Sequence, residues 1–114
     1  MSPTELWVPV RVTDLVAVTR FYTDAVGLSV VDSWDRGGDE LGVVLRVADG
    51  AFVELAVTGV DGPPPLAFRV GTDADVDTAA TRLGAGPPRR HQRGHYLVEA
   101  TDPAGTPVAV WSER

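Results

Sequence analysis

The sequence contains no cysteine, and its longest apolar runs are only the length of a strand. Without cysteine, the chain has no disulfide, no thiolate metal site and no cysteine nucleophile. No run approaches the roughly 18 apolar residues that a membrane-spanning helix needs. The first ten residues, MSPTELWVPV, have neither the basic nor the apolar region of a signal peptide. We therefore expect a cytoplasmic protein that is not inserted in a membrane.

Lysine is also absent, and acidic residues outnumber the arginines by 16 to 10, which gives a net charge of −6. A field of this sign disfavours nucleic acid and anionic membranes as partners and favours cationic ligands. The use of arginine alone, with many Val, Ala and Gly residues, is typical of a GC-rich bacterial genome. A length of 114 residues with 44% hydrophobic residues predicts one globular domain with its own core.

The first half of the chain predicts a strand, a helix and three further strands. The strands are predicted over residues 6–12, 28–34, 41–47 and 51–57, and the helix over residues 14–27. Asp14 is the predicted N-cap, and Gly27 is the residue predicted to end the helix. The predicted apolar stripe of this helix consists of Leu15, Val18, Phe21, Tyr22 and Val26.

The second half repeats the same order after a proline-rich stretch. Strands are predicted over residues 66–70, 88–93, 95–101 and 108–111. The helix between the first two of these strands is predicted to be capped by Asp73 or Asp75. Its predicted buried face consists of Val76, Ala79, Ala80 and Leu83. The chain is thus predicted to be one domain with a module over residues 1–58, a linker over 59–64 and a second module over 65–114.

Four stretches of the sequence resemble the vicinal oxygen chelate superfamily, which includes glyoxalase I, extradiol dioxygenases, and fosfomycin- and bleomycin-resistance proteins. They are residues 10–30, 51–57, 66–86 and 102–111, with an FY pair and a following GL in the first and a D-P-x-G turn in the last. The resemblance implies an α+β fold of two βαβββ modules whose strands form a curved, cup-shaped mixed sheet. It also implies a homodimer.

In metal-dependent members of this superfamily, four positions in the cup hold a divalent ion. The resemblance maps these positions onto Trp7, Glu54, Pro65 and Ala109. Only Glu54 is a ligand type, because indole, proline and alanine side chains offer no lone pair suited to a hard cation. We therefore expect no metal and no cofactor.

Strand alternation places Trp7 on the same side as Arg11, and Ala109 on the same side as Trp111. Both indoles would then face the cup, either as platforms that stack on a planar ligand or as aromatic filling of the core. Trp34 ends a strand beside the polar loop 35–40, where it would contact a ligand at the rim or be an exposed or dimer-interface residue.

Glu54 has apolar neighbours on both sides, and a half-buried carboxylate needs a compensating partner. One interpretation is a structural ion pair with Arg11 or Arg69, which share its side by alternation. The others are an anchor for a cationic group of a ligand, or a general base.

His91 and His95 are four residues apart, but Gly94 between them indicates a hairpin rather than a helical pair of metal ligands. The basic run around them is predicted to be a solvated hairpin face. An anion contact by Arg89, Arg90 or Arg93 is the alternative.

Together these features favour metal-independent binding of a small organic molecule, an antibiotic or natural product, in the manner of bleomycin-resistance proteins. The predicted binding residues are Trp7, Arg11, Trp34, Glu54, Arg69, Ala109 and Trp111. The alternative is a glyoxalase-, lyase- or dioxygenase-like or isomerase-type enzyme that uses Glu54 as its base. A third hypothesis is a structural or regulatory module whose cup is filled by Trp7 and Trp111.

Overall fold

Each half of the chain forms one helix and four strands, as the hydrophobic pattern predicts. The structure is a computed structural model that describes residues 2–58 and 62–113. The N-terminal unit is Trp7–Pro64, and the C-terminal unit is Met1–Leu6 together with Pro65–Arg114. Residues 59–61 of the predicted linker lie outside the described residues. The predicted α+β class is confirmed.

The N-terminal unit contains β1 (Glu5–Arg11), α1 (Leu15–Arg20), β2 (Ser29–Asp35), β3 (Leu41–Ala48) and β4 (Ala51–Ala56). The first two residues of β1 belong to the C-terminal unit. The strands of the N-terminal unit lie in the order β2-β3-β4-β1. β3 pairs antiparallel with both β2 and β4, and one residue bulges between Val30 and Asp32.

Helix α1 begins where the sequence predicts, and the helical stretch that continues from it ends at the predicted residue. The Asp14 carboxylate accepts a hydrogen bond from the Ala17 backbone N–H at 3.0 Å, so the predicted N-cap is confirmed. Beyond Arg20 the chain continues as a π-helical segment over Phe21–Val26. It ends at Gly27, whose φ of 89° lies in the left-handed region that glycine adopts at little cost.

The π-helical segment changes which residues the helix buries. Val12, Leu45 and Leu55 form the core of this unit, and Leu15, Val18 and Tyr22 pack against it. Phe21 and Val26 are 58% and 54% exposed, so their predicted place on the buried stripe is wrong. Phe21 lies six residues after Leu15, which at about 100° per residue already directs its side chain away from the buried side of α1. Val26 is the last residue of the π-helical segment, whose wider turns change the direction of its side chain.

The C-terminal unit contains β5 (Leu66–Arg69), α2 (Asp73–Leu83), β6 (Arg89–Arg90), β7 (Tyr96–Thr101) and β8 (Pro107–Ser112). Its strand order is β5-β8-β7-β6, with β5 parallel to β8 and the other pairs antiparallel. Its core contains Val70, Val76, Ala79, Ala80, Val98 and Val110. Among the described residues, no helix is both long and apolar enough to cross a membrane.

Two details of α2 differ from the sequence-based prediction. The N-cap is Thr72, whose hydroxyl accepts a hydrogen bond from the Asp75 N–H at 3.1 Å, rather than Asp73 or Asp75. The two aspartates instead lie in the first turn, where their negative charges interact favourably with the positive end of the helix dipole. Leu83, predicted to be buried, is 45% exposed because it is the last residue of the helix.

Replacing the α2 cap should destabilise the protein measurably. We expect Thr72→Ala to lower the free energy of unfolding by about 1 kcal/mol, because the Asp75 N–H loses its side-chain acceptor and keeps only the Thr72 carbonyl oxygen. Urea denaturation followed by circular dichroism measures this change. The matched control is Thr78→Ala in the exposed middle of the same helix, which we expect to be neutral or slightly stabilising. Equal effects of the two variants would contradict the capping role.

Candidate functional site

In the N-terminal unit, one face of the sheet carries most of the predicted binding residues. Helix α1 packs on the face that contains Leu45 and Leu55. The opposite face, which we call the distal face, is defined by three pairs between β3 and β4: Gly42 with Ala56, Val44 with Glu54, and Arg46 with Phe52. The distal face therefore holds the side chains that α1 leaves uncovered.

An aromatic pair occupies one end of the distal face. The rings of Trp7 and Phe52 stack with centroids 4.6 Å apart and planes 25° from parallel. Both side chains are half-buried. Trp7 is a predicted stacking platform for a ligand, whereas Phe52 was not among the predicted binding residues. The signal was present, because Phe52 lies two residues before Glu54 in a predicted strand and therefore shares its face.

Glu54 lies in the next row of the distal face. It is half-buried and is directly opposite Val44, which is only 5% exposed. Along β4 its neighbours on the same face are Phe52 and Ala56. A carboxylate in such a setting is partly desolvated and interacts strongly with a cationic group. The aromatic pair and the carboxylate are thus adjacent on one surface.

Trp34 lies at the other end of the distal face. Its position in β2 is opposite Gly42 in β3, and its side chain is half-buried. The six-membered ring of Trp34 occupies the space that a side chain at position 42 would need. Trp34 is therefore held against the sheet rather than extended into the polar loop beside it. The N-terminal unit thus brings Trp7, Trp34 and Glu54 onto one face.

Arg11 is an exposed residue at the end of β1. It lines a shallow surface depression of about 400 Å³ together with Thr13, Asp39, Val57 and Thr58. The predicted ion pair between Arg11 and Glu54 stays a prediction.

In the C-terminal unit, Arg69 and Trp111 lie side by side on the sheet face opposite α2. They are partners in the parallel register of β5 and β8, and the Arg69 guanidinium lies 5.3 Å from the centroid of the Trp111 ring. Arg69 also pairs with Glu5 at 3.1 Å and with Glu113 at 3.3 Å. Two carboxylates therefore neutralise this guanidinium, and a ligand oxygen would have to compete with them.

Ala109 lies two pairs further along the same strands. It is opposite Ala67 in β5 and Glu99 in β7, and it is 8% exposed. Its methyl group offers a ligand little contact area. The predicted roles of Arg69, Ala109 and Trp111 in binding stay predictions, and these three residues belong to a different unit from Trp7 and Glu54.

The predicted hairpin around His91 and His95 is confirmed. The His91 N–H donates to the His95 carbonyl oxygen at 2.6 Å, with Gly94 in the turn at a φ of 101°. The imidazole of His95 meets the Trp111 ring edge-to-face, with centroids 5.1 Å apart. Burial lowers the pKa of His95 below its usual 6.5, and the positive charges of His91, Arg93 and Arg69 lower it further. The nearby Glu113 acts in the opposite direction.

The basic run in this hairpin is largely paired with acids. Arg89 forms a salt bridge with Glu99, and Arg90 forms one with Asp73. Arg90 also lies over the Tyr96 ring at 4.8 Å. These pairs weaken the alternative in which Arg89 and Arg90 contact an anionic ligand.

The side chains at the four positions that the resemblance assigns to a metal do not fit a divalent ion. Trp7 and Glu54 lie in the N-terminal unit, and Pro65 and Ala109 lie in the C-terminal unit, and only Glu54 has a suitable side chain. Across residues 2–58 and 62–113, no three His, Asp or Glu side chains are grouped so that they could hold a metal ion.

The burial of His95 predicts a pH dependence of stability. Because its pKa is lowered in the folded state, the unfolded chain binds the proton more readily, and folding is destabilised as the pH falls below about 6.5. We expect the free energy of unfolding to fall between about pH 7.5 and about pH 5.5, and His95→Gln to make that fall smaller. Urea denaturation at these two pH values measures both. His91→Gln is the comparison, and it should reduce the fall less than His95→Gln, because burial is the largest cause of the lowered pKa of His95. An unchanged fall in His95→Gln would contradict this role of His95.

Comparison with known proteins places this architecture among solved relatives. Methylmalonyl-CoA epimerase from Mycobacterium tuberculosis matches with a TM-score of 0.69 and 19% identity over 98% of this chain and 89% of that chain. A methylmalonyl-CoA epimerase variant from Streptomyces coelicolor, in complex with 2-nitronate-propionyl-CoA, matches with a TM-score of 0.65 and 19% identity. This match covers 98% of this chain and 99% of that chain. A glyoxalase/bleomycin resistance protein/dioxygenase superfamily member from Vibrio splendidus 12B01 matches with a TM-score of 0.60 and 17% identity. This match covers 96% of this chain and 98% of that chain.

These identities are low, so the structural likeness shows a shared fold and no shared substrate. A search of the curated proteins gave no match. A protein-family model identifies the family more specifically than these structural matches do. The model described as the Glyoxalase/Bleomycin resistance protein/Dioxygenase superfamily matches residues 6–110, which is nearly the whole chain. The resemblance inferred from the sequence is thereby confirmed, and the chain belongs to the glyoxalase/bleomycin resistance protein/dioxygenase superfamily.

Proposed function

We propose that this protein binds a small organic molecule that carries a planar ring and a positive charge, and that it sequesters this molecule without a metal. An antibiotic or another natural product fits this description. The single observation that carries the proposal is the stacked pair of Trp7 and Phe52 beside Glu54 on the distal face. A stacked aromatic pair offers a ligand a large, rigid apolar surface.

Charge supports the choice of a cationic ligand. The chain has a net charge of −6, which attracts cations from a distance. At the surface itself, Glu54 supplies a carboxylate one row away from Phe52. A ligand whose ring contacts Phe52 can therefore place a positive group near Glu54. Such a contact is charge-assisted and is worth more than a neutral hydrogen bond.

Two small probes test this arrangement. One is (3-phenylpropyl)trimethylammonium, and the other is 3-phenylpropanol, which carries the same ring on a neutral chain. We expect Glu54→Gln to weaken binding of the cationic probe about tenfold, because a quaternary ammonium has no N–H to donate and its charge alone attracts a half-buried carboxylate by about 1–4 kcal/mol, and to leave the neutral probe unchanged. Trp7→Ala should weaken both probes, because both need the ring platform. Isothermal titration calorimetry measures the affinities.

The control for the change of charge is Asp24→Asn, an exposed acid in the π-helical segment that follows α1. It lowers the net negative charge by the same amount as Glu54→Gln but lies on the helix side of the sheet, opposite the distal face. We expect it to leave the affinity of both probes nearly unchanged. If Asp24→Asn weakened the cationic probe as much as Glu54→Gln, the attraction would come from the overall field, and the assigned role of Glu54 would be wrong.

Native mass spectrometry of the purified protein, with and without Ni(II), Zn(II) and Mn(II), tests the absence of a metal. We expect a metal-free homodimer that retains a co-purified organic molecule. One stoichiometric metal ion per chain would contradict the assignment of the four family positions. A co-purified molecule that exchanges hydrogen for deuterium in solvent D2O with the wild type, but not with Glu54→Gln, would favour the alternative of an enzyme with Glu54 as its base.

A further inference from the structure

The bulge in β2 decides which residues of that strand reach the distal face. Val30 is opposite Leu45, on the face that α1 covers. Simple alternation from Val30 would keep Trp34 on that covered face. The extra residue between Val30 and Asp32 reverses the alternation, so that Trp34 is opposite Gly42 instead. The bulge therefore brings Trp34 to the face that carries Glu54.

Gly42 then fixes how the indole lies. A Cβ atom at position 42 would be 1.9, 2.2 and 2.3 Å from the Cζ2, Cη2 and Cε2 atoms of Trp34. Nearly equal distances to three consecutive ring atoms place this position over the face of the ring rather than beyond its edge. The indole of Trp34 therefore lies flat against the Gly42 backbone. Glycine in a strand commonly marks such a close approach.

The two aromatic groups flank Glu54 along the sheet. Gly42 and Arg46 are four residues apart on β3, which corresponds to about 13 Å along a strand. Arg46 is opposite Phe52, and Gly42 lies beneath Trp34. Glu54 is opposite Val44, which lies midway between Gly42 and Arg46 on β3. The distal face therefore presents aromatic, acidic and aromatic side chains in sequence.

We propose that Trp34 is a second ring-binding platform of the distal face, held in place by Gly42. The ligand then carries two planar rings about 13 Å apart, with a cationic group between them. This inference rests on the proposed function, because it extends the same surface. The class of ligand is a cation that carries two planar rings, and Gly42 is a positioning residue that acts through Trp34.

The test compares two quaternary ammonium probes with one positive charge each. The single-ring probe is (3-phenylpropyl)trimethylammonium, and the two-ring probe is bis(3-phenylpropyl)dimethylammonium, whose extended arms separate its rings by about the distance between the platforms. We expect the wild type to bind the two-ring probe at least about fivefold more tightly, because stacked rings interact beyond their buried area. A shorter two-ring probe, dibenzyldimethylammonium, should show no such gain.

Three variants identify the source of this gain. Trp34→Ala should abolish it while weakening the single-ring probe no more than about twofold, because that probe still has the platform of Trp7 and Phe52. Gly42→Ala should reduce it in the same way, because the added methyl group displaces the indole without removing it. The double variant should lose no more than Trp34→Ala alone, since Gly42 acts only through Trp34. Trp34→Phe, which keeps a ring, should retain part of the gain and shows that the fold tolerates the change.

The outcomes separate the two proposals. If the wild type binds both probes equally, or if Trp34→Ala keeps the gain, the second platform is wrong while the proposed function stands. If Gly42→Ala keeps the full gain or the double variant loses more than Trp34→Ala, the positioning role of Gly42 is wrong. If the single-ring probe does not bind the wild type, the proposed function fails, and the second platform fails with it.

Discussion

Each unit of this protein has one helix and a four-stranded sheet, and one helix can cover only one face of such a sheet. The covered faces are aliphatic, with residues such as Leu45 and Leu55 in one unit and Val98 and Val110 in the other. The uncovered faces carry side chains of mixed character, including Trp7, Glu54, Arg69 and Trp111. These side chains are partly buried, and some of them are charged. A surface that recognises a small polar molecule needs both properties. The division between covered and uncovered faces therefore also divides structural residues from candidate functional ones.

The sequence allowed most of the fold to be predicted, because strand and helix periods differ and one proline-rich stretch separates the two halves. The failures are local and have physical causes. Val26 was placed on a buried stripe because an α-helical period was assumed where the backbone forms a π-helix, and Phe21 because its spacing of three from Val18 was counted although it lies six residues from Leu15. Aspartate was preferred as the cap of α2, although the hydroxyl of a threonine such as Thr72 also caps helices. The bulge in β2 was not foreseen, since both Val30 and Val31 are good strand residues and nothing in the run marks the extra one.

The candidate site was predictable to the extent that it depends on alternation within one strand. Alternation associates Glu54 with Phe52, and Trp7 with Arg11. Contacts between strands depend on register, which a single sequence does not specify. The pair between Arg69 and Glu5 joins residues 64 positions apart, and Glu113 lies beyond the predicted end of the last strand. The face-to-backbone contact of Trp34 with Gly42 likewise exists only in the observed register of β2 and β3.

The arrangement of charge explains why a cation, rather than an anion, is the expected ligand. In the C-terminal unit, Arg69 contacts two carboxylates, and Arg89 and Arg90 contact one each. An anionic ligand would have to displace these acids in addition to overcoming the net charge of −6. Exposed pairs such as Arg89 with Glu99 are individually weak and screened by salt, but they still reduce the positive potential near the arginines. A cation that approaches the aromatic surface of the N-terminal unit meets attraction from the net charge and, close to the sheet, from Glu54. Arg46, which is opposite Phe52 on the same face, opposes this attraction, but Asp49 lies 4.0 Å from its guanidinium and partly offsets its charge. Aromatic faces also attract cations through their quadrupole, so the rings and the carboxylate favour the same class of molecule.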